Sequence, residues 1–119
     1  MMVMNDDEAL LSNAYAAYNS RDLDGLLAVV SEDVDWPDGR NRLRGKAAVE
    51  AYWTNQWKRT RTFDRLVAFD HRPARVAVRI NQIVWSCADS VISSGSFTHV
   101  HQIQNGRIVR MDIEITERH

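Results

Sequence analysis

Two short stretches of this 119-residue chain carry side chains that could do chemistry. In "SEDVDWPDGRNRLRGKAAVEAYW", residues 31 to 53, Asp38 stands at a turn just behind Trp36 and Pro37. An aromatic wall and a rigid proline would surround such a carboxylate with apolar groups, which disfavour its charged form and raise its pKa toward that of a useful general base. Next to Gly39, the same residue also reads as an ordinary turn aspartate. In "SGSFTHVHQIQ", strand alternation puts Phe97, His99, His101 and Ile103 on one face, and the large apolar members mark that face as inward. Two imidazoles in an apolar row each need a partner if buried. They could donate hydrogen bonds or protons to a ligand, or the H-x-H spacing could place both on a metal with a carboxylate as third ligand. No H-x-x-x-H motif, second cysteine or clearly inward acid supports a metal, so none is assigned. Cys87 is the only cysteine, which excludes an internal disulfide, and its strand-like, base-free surroundings read as a buried, inert thiol.

Composition narrows the partner. The length suits a single domain spanning residues 1–119, with a modest core. Fifteen Lys and Arg against sixteen Asp and Glu give a formal net charge of −1, and no block of one sign is long enough to attract nucleic acid or an anionic membrane. A small-molecule ligand is the better expectation. No apolar run could span a bilayer, and "MMVMNDDE" lacks the basic and apolar regions of an export signal, so a cytoplasmic location is expected. There is no Gly-rich phosphate loop, and the basic loop "GRNRLRGK" reads as a rim before a helix, so no cofactor is expected.

The elements that must position these residues fall into a helical half and a strand half. Asn5 with Glu8 three residues later has capping-box spacing, and "EALLSNAYAAYNS" places Leu11, Tyr15 and Tyr18 on one helical face. Asp22 can cap a second helix, "LDGLLAVVS", with Leu23, Leu26, Leu27 and Val30 as its buried stripe. Pro37 and Asp38-Gly39 break the chain before a third helix, "KAAVEAYWTNQWKR", which carries Trp53 and Trp57. From Thr62 the period becomes two, and "FDRLVAFDHR", "RVAVRINQIVWS", "SGSFTHVHQIQ" and "RIVRMDIEIT" read as strands. Asn105-Gly106 is a strong hairpin signal. In the last strand Val109, Met111, Ile113 and Ile115 are expected inward, with Arg110, Asp112 and Glu114 outward. The strand at 75–86 is ambiguous, because Val76, Val78, Ile80 and Val84 share one face and Arg79, Asn81, Ile83 and Trp85 the other. The expectation taken is that Arg79 and Asn81 face inward and that the apolar face is covered by a second copy of the chain. The sum is an α+β domain, three helices against a curved, mostly antiparallel sheet.

The order of elements, with the phrases "YNSRDLDGLLAVVSEDVDW", "LRGKAAVEAYW" and "HVHQIQNGRIVRMDI", resembles the NTF2-like (cystatin-like) superfamily, the cone-shaped fold of scytalone dehydratase, ketosteroid isomerase and the SnoaL-type polyketide cyclases. The resembling phrases span about Leu10 to Ile115 and are mostly structural, and one such fold hosts unrelated functions. The resemblance implies a pocket between the concave sheet face and the helices. It also implies that Asp38 falls where the isomerase has its aspartate base, with Asp35 two residues away, and that His99 replaces the isomerase's protonated acid. The isomerase's tyrosine position falls at Ala14, close to Tyr15 and Tyr18, so steroid isomerisation itself is not implied. The expected catalytic residues are Asp38 and His99; the expected ligand contacts are Tyr15, Trp36, Trp53, Arg79, Asn81, His101 and Met111. Tyr15, Trp53 and Trp57 could equally be core residues. Three functions remain: a cofactor-independent acid/base enzyme acting on a small apolar carbonyl compound, a non-catalytic ligand-binding or dimerisation domain, and a metal site at His99 and His101. A homodimer formed through the sheet is the expected assembly.

Overall fold

The Asn5 side chain opens the first helix, accepting from the backbone N–H groups of Asp7 (2.8 Å) and Glu8 (3.4 Å). In the computed structural model, which describes residues 5–115, α1 runs Asp6–Ser20 and stops at Arg21 in the left-handed conformation. Residues 1–4 and 116–119 of the expected domain, and the side chain of Ile115 expected to face inward, lie outside what is described. Asp22 caps α2 (Leu23–Ala28) by accepting from Gly25 N–H. α2 is shorter than its pattern suggests, because Val30 already belongs to a strand, where it is fully buried.

That strand runs through Pro37, where a chain break is expected, and the Asp38-Gly39 turn signal marks its end. β1 (Val30–Asp38) and β2 (Asn41–Arg44) form a hairpin closed by Gly39 at positive φ, with Asp38 opposite Asn41. Pro37 is tolerated inside β1 because pairing to the neighbour on the other side ends at Asp35, leaving no ladder donor to lose. Gly45, also at positive φ, leads into α3 (Lys46–Arg59) and ties back to Val34 through its N–H. β3 (Thr60–Arg72), β4 (Arg75–Ser86), β5 (Val91–Gln104) and β6 (Arg107–Ile115) complete one sheet in the order β2-β1-β6-β5-β4-β3. All neighbours are antiparallel except β1 and β6. Asn105 and Gly106, both at positive φ, make the tight turn between β5 and β6.

The helices cover one sheet face, and Leu11, Val30, Val34, Val49, Val78, Ile80 and Ile108 are sealed between them. Three sequence expectations change here. Arg79 and Asn81 lie on the exposed face of β4, because Val76, Val78 and Ile80 take the core side. In β6 the inward residue is Ile108 and not Val109: Ile103 pairs with Ile108 and Gln102 with Arg110, so Val109 is the extra residue of a bulge. Cys87 is exposed in the turn after β4, its thiol against the carbonyls of Lys58 and Arg59.

Candidate functional site

The concave face of the sheet and the helices enclose a cavity of about 110 Å³. α1 supplies Ala14, Tyr15 and Tyr18, and α3 supplies Tyr52, Trp53 and Gln56. β1 adds Trp36 and Pro37; β3 adds Asp64, β4 Gln82, β5 His99 and His101, and β6 Ile108, Met111 and Ile113. Trp36 stands edge-on to Trp53 with ring centroids 5.3 Å apart, forming an aromatic corner.

On the strand side the two histidines converge on one phenol. Tyr15 Oη lies 2.6 Å from His99 Nδ1 and 2.9 Å from His101 Nε2. His99 is 6% exposed and His101 1%. Burial lowers the His99 pKa to about 4; burial, with His99 as a second and smaller cause, lowers that of His101 to about 3. Burial, reinforced by Asp64, raises that of Tyr15 well above its ordinary 10. At neutral pH the cluster is therefore two neutral imidazoles and a neutral phenol. Both nitrogens that face Tyr15 are taken up by its hydroxyl, and among the described residues no group of three or more His, Cys, Asp or Glu is disposed to hold a metal.

The same cavity is lined by Asp64, only 5% exposed. Burial raises its carboxyl to about 6, against the opposing effect of Gln82 Nε2, which donates to Oδ1 at 2.9 Å. Its backbone is clamped by Asn19 at the end of α1: Asn19 Nδ2 donates to the Asp64 carbonyl (2.9 Å), and Asp64 N–H donates to Asn19 Oδ1 (2.8 Å). The Tyr18 hydroxyl, bonded to Gln56 Oε1 (3.0 Å) and Thr62 Oγ1 (3.1 Å), is pushed up to about 12, chiefly by burial. The cavity thus combines apolar walls, one carboxylate that titrates near neutrality and a neutral hydrogen-bonding cluster. That is what proton transfer in a dry site requires.

Of the residues expected from sequence, Tyr15, Trp36, Trp53, His99, His101 and Met111 line this cavity; Asp38, Arg79 and Asn81 do not. Asp38 ends β1 at the hairpin, half-buried, and its charge reaches the cavity only as a secondary upward influence on Tyr52. Asp35 is no substitute. It is bound on the other side of β1 by Arg42 Nε (2.7 Å) and Arg110 Nη1 (2.8 Å), and these guanidinium groups outweigh burial and hold its pKa down. Asp64, with Gln82, is what sequence reasoning missed. The available signal was parity: Thr62, Asp64 and Leu66 share one face of β3 while Phe63 and Arg65 share the other.

Residues 11–111 match the SnoaL-like domain family. Among solved structures, an NTF2-like protein of unknown function from Burkholderia pseudomallei superposes with a TM-score of 0.82 at 24% identity, over 94% of this chain and 92% of its own. TerC co-crystallised with polyporic acid gives 0.81 at 20% identity, over 93% and 92%. A Mycobacterium tuberculosis protein in complex with estradiol-17β-hemisuccinate gives 0.77 at 17% identity, over 91% and 92%. Identities this low establish a shared fold. No curated protein matches the chain significantly.

Proposed function

The chain belongs to the SnoaL-like domain family and has the NTF2-like α+β fold, and from that premise we propose that it binds a small, mostly apolar carbonyl compound in the cavity and moves a proton on it without a cofactor. Asp64 carries the reading, as a carboxylate raised to about 6 inside an aromatic and aliphatic enclosure. At pH 7 such a group is mostly ionised yet basic enough to take a proton from a carbon acid. Asp64 removes a proton from the carbon next to the carbonyl, the C–H electron pair forms the enolate, and the enolate oxygen accepts a hydrogen bond from the neutral His99 ring. Return of the proton to another carbon isomerises the compound; return to the same carbon exchanges it. Asp64 takes the base role that sequence reasoning gave to Asp38, while His99 keeps its polarising role.

Cavity size and the similar structures support the ligand class. About 110 Å³ is of the order of the ~150 Å³ apolar cavities that accept a single benzene ring. Two similar structures hold polyporic acid and estradiol-17β-hemisuccinate, organic ligands in proteins of this fold. The test is deuterium exchange. One- and two-ring ketones in D2O should lose their α-protons faster with the protein than in buffer, and Asp64→Asn should slow the exchange by on the order of 10²-fold. Binding without exchange would instead make the chain a ligand-binding domain. We also propose that the chain pairs with a second copy through the exposed face of the sheet. Among the described residues no helix is long and apolar enough to cross a membrane.

A further inference from the structure

Tyr15 has one proton to give and two ring nitrogens to satisfy, so the contacts at His99 Nδ1 and His101 Nε2 must run in one direction. Either Tyr15 donates to His99 and accepts from His101, or the reverse. Two observations choose between these. The 2.6 Å contact to His99 has the length of an O–H donor, and the 2.9 Å contact to His101 that of an N–H donor. Among the described residues, His101 Nδ1 is buried with no partner. In the reverse direction it would carry the ring proton, an orphaned N–H in the core, which native structures avoid more strictly than an idle acceptor. Among the described residues no partner faces His99 Nε2 either, but it is not sealed off, and it belongs to a ring that lines the cavity.

We propose that Tyr15 and His101 act as positioning residues: a relay from His101 Nε2–H to the Tyr15 hydroxyl to His99 Nδ1 locks the His99 proton onto Nε2, so that the cavity presents an N–H donor to its ligand. This deepens the acid/base reading and rests on it for the ligand. The group placed against His99 is then a hydrogen-bond acceptor, a carbonyl or related oxygen, and a ligand that offers only a donor there is excluded. Both rings are neutral at pH 7, with His99 lowered to about 4 and His101 to about 3, so the donor is an imidazole and not an imidazolium.

Nitrogen-15 NMR of the histidine side chains in the full chain at pH 7 tests the relay without any ligand. The proposed direction makes both buried rings Nε2–H tautomers, and the reverse makes both Nδ1–H; with His71 and His119 replaced by Gln, only the buried pair is observed and no assignment between His99 and His101 is needed to decide. Two Nδ1–H rings, or one of each, would overturn the relay. Cyclohexanone is then added, with methylenecyclohexane as the shape-matched compound that lacks the oxygen. A shift of the cavity-facing Nε2–H with cyclohexanone alone supports the ligand class. Both rings as Nε2–H with no response to cyclohexanone would leave the relay standing and remove the carbonyl reading.

Discussion

Asp64 and the two histidines titrate abnormally for one reason, burial, and burial moves acid and base in opposite directions. Asp64 is raised to about 6, so the stability it contributes is full below its unfolded pKa near 4 and is lost as pH rises through 6. The histidines are lowered, so their contribution is full above about 6.5 and is lost as pH falls toward 4. Between about pH 4.5 and 5.5 the unfolded chain binds two extra protons at the histidines and the folded chain one at Asp64. Stability should therefore rise with pH by one proton's worth, about 1.4 kcal/mol per unit. Asp64→Asn removes the opposing proton, so urea unfolding across this range should show a slope about twice as steep. An unchanged slope would place the Asp64 pKa near the ordinary carboxylate value and weaken its case as the base. The histidines could be found from sequence because polar rings stood in an apolar row. Asp64 shares its parity with Thr62 and Leu66, but Phe63 and Val67 put larger apolar side chains on the opposite parity, and their exposure (44% each) masks that signal.

At the scale of elements, α1, α3, β3, β4 and β5 were legible because their periods run for twelve residues or more, while α2 and β6 were marked by the Asp22 cap and the Asn105-Gly106 turn. The β1–β2 hairpin was not, since its order comes from charge pairing across strands. Asp35, 8% exposed, accepts from Arg42 Nε and Arg110 Nη1, and Arg42 also donates to the Met111 carbonyl and to Asp112. The network fastens the hairpin to β6 and so holds Trp36 and Pro37 at the cavity wall. A run such as "SEDVD" followed by "RNRLR" looks like a solvated loop until its acids and bases are placed on adjacent strands. Asp35→Ala leaves two guanidinium groups without their buried partner and should cost about 2–4 kcal/mol, less than a fully sealed pair because both arginines reach solvent. The check is chemical denaturation together with Trp fluorescence. Early loss of the fluorescence component that Trp36→Phe removes would show that the hairpin peels from β6 first, whereas a change below about 0.5 kcal/mol would make the network incidental. A bulge accounts for the misreading of β6: one extra residue at Val109 resets its phase, so alternation counted from the strand end points the wrong side chain inward.

For the whole molecule, the outer sheet face raises the question of assembly. Arg79 and Asn81 there are exposed, and Ser96 Oγ donates to Asn81 Oδ1. Beside them Phe63 and Ile83 are direct cross-strand partners, 44% and 36% exposed, while Ala77, Thr98 and Val100 are already buried within the chain. The face is therefore a mixed surface with an apolar pair toward its β3 edge, and the copy proposed to cover it would bury that pair at small desolvation cost beside polar groups able to bond across the interface. In a self-complementary two-fold contact the Phe63–Ile83 pair is buried twice, once from each copy. One charge at that position would then appear twice in apolar surroundings. Ile83→Arg should convert a dimer to a monomer in sedimentation equilibrium, its side chain leaving the sheet on the face opposite Gln82 and the cavity. Arg79→Ala, outside the apolar pair, should alter the dimer constant by less than about tenfold. A wild-type chain that sediments as a monomer at 100-fold dilution and at high concentration alike would remove the pairing, and the acid/base reading of the cavity would be unaffected because every residue that lines it comes from one chain.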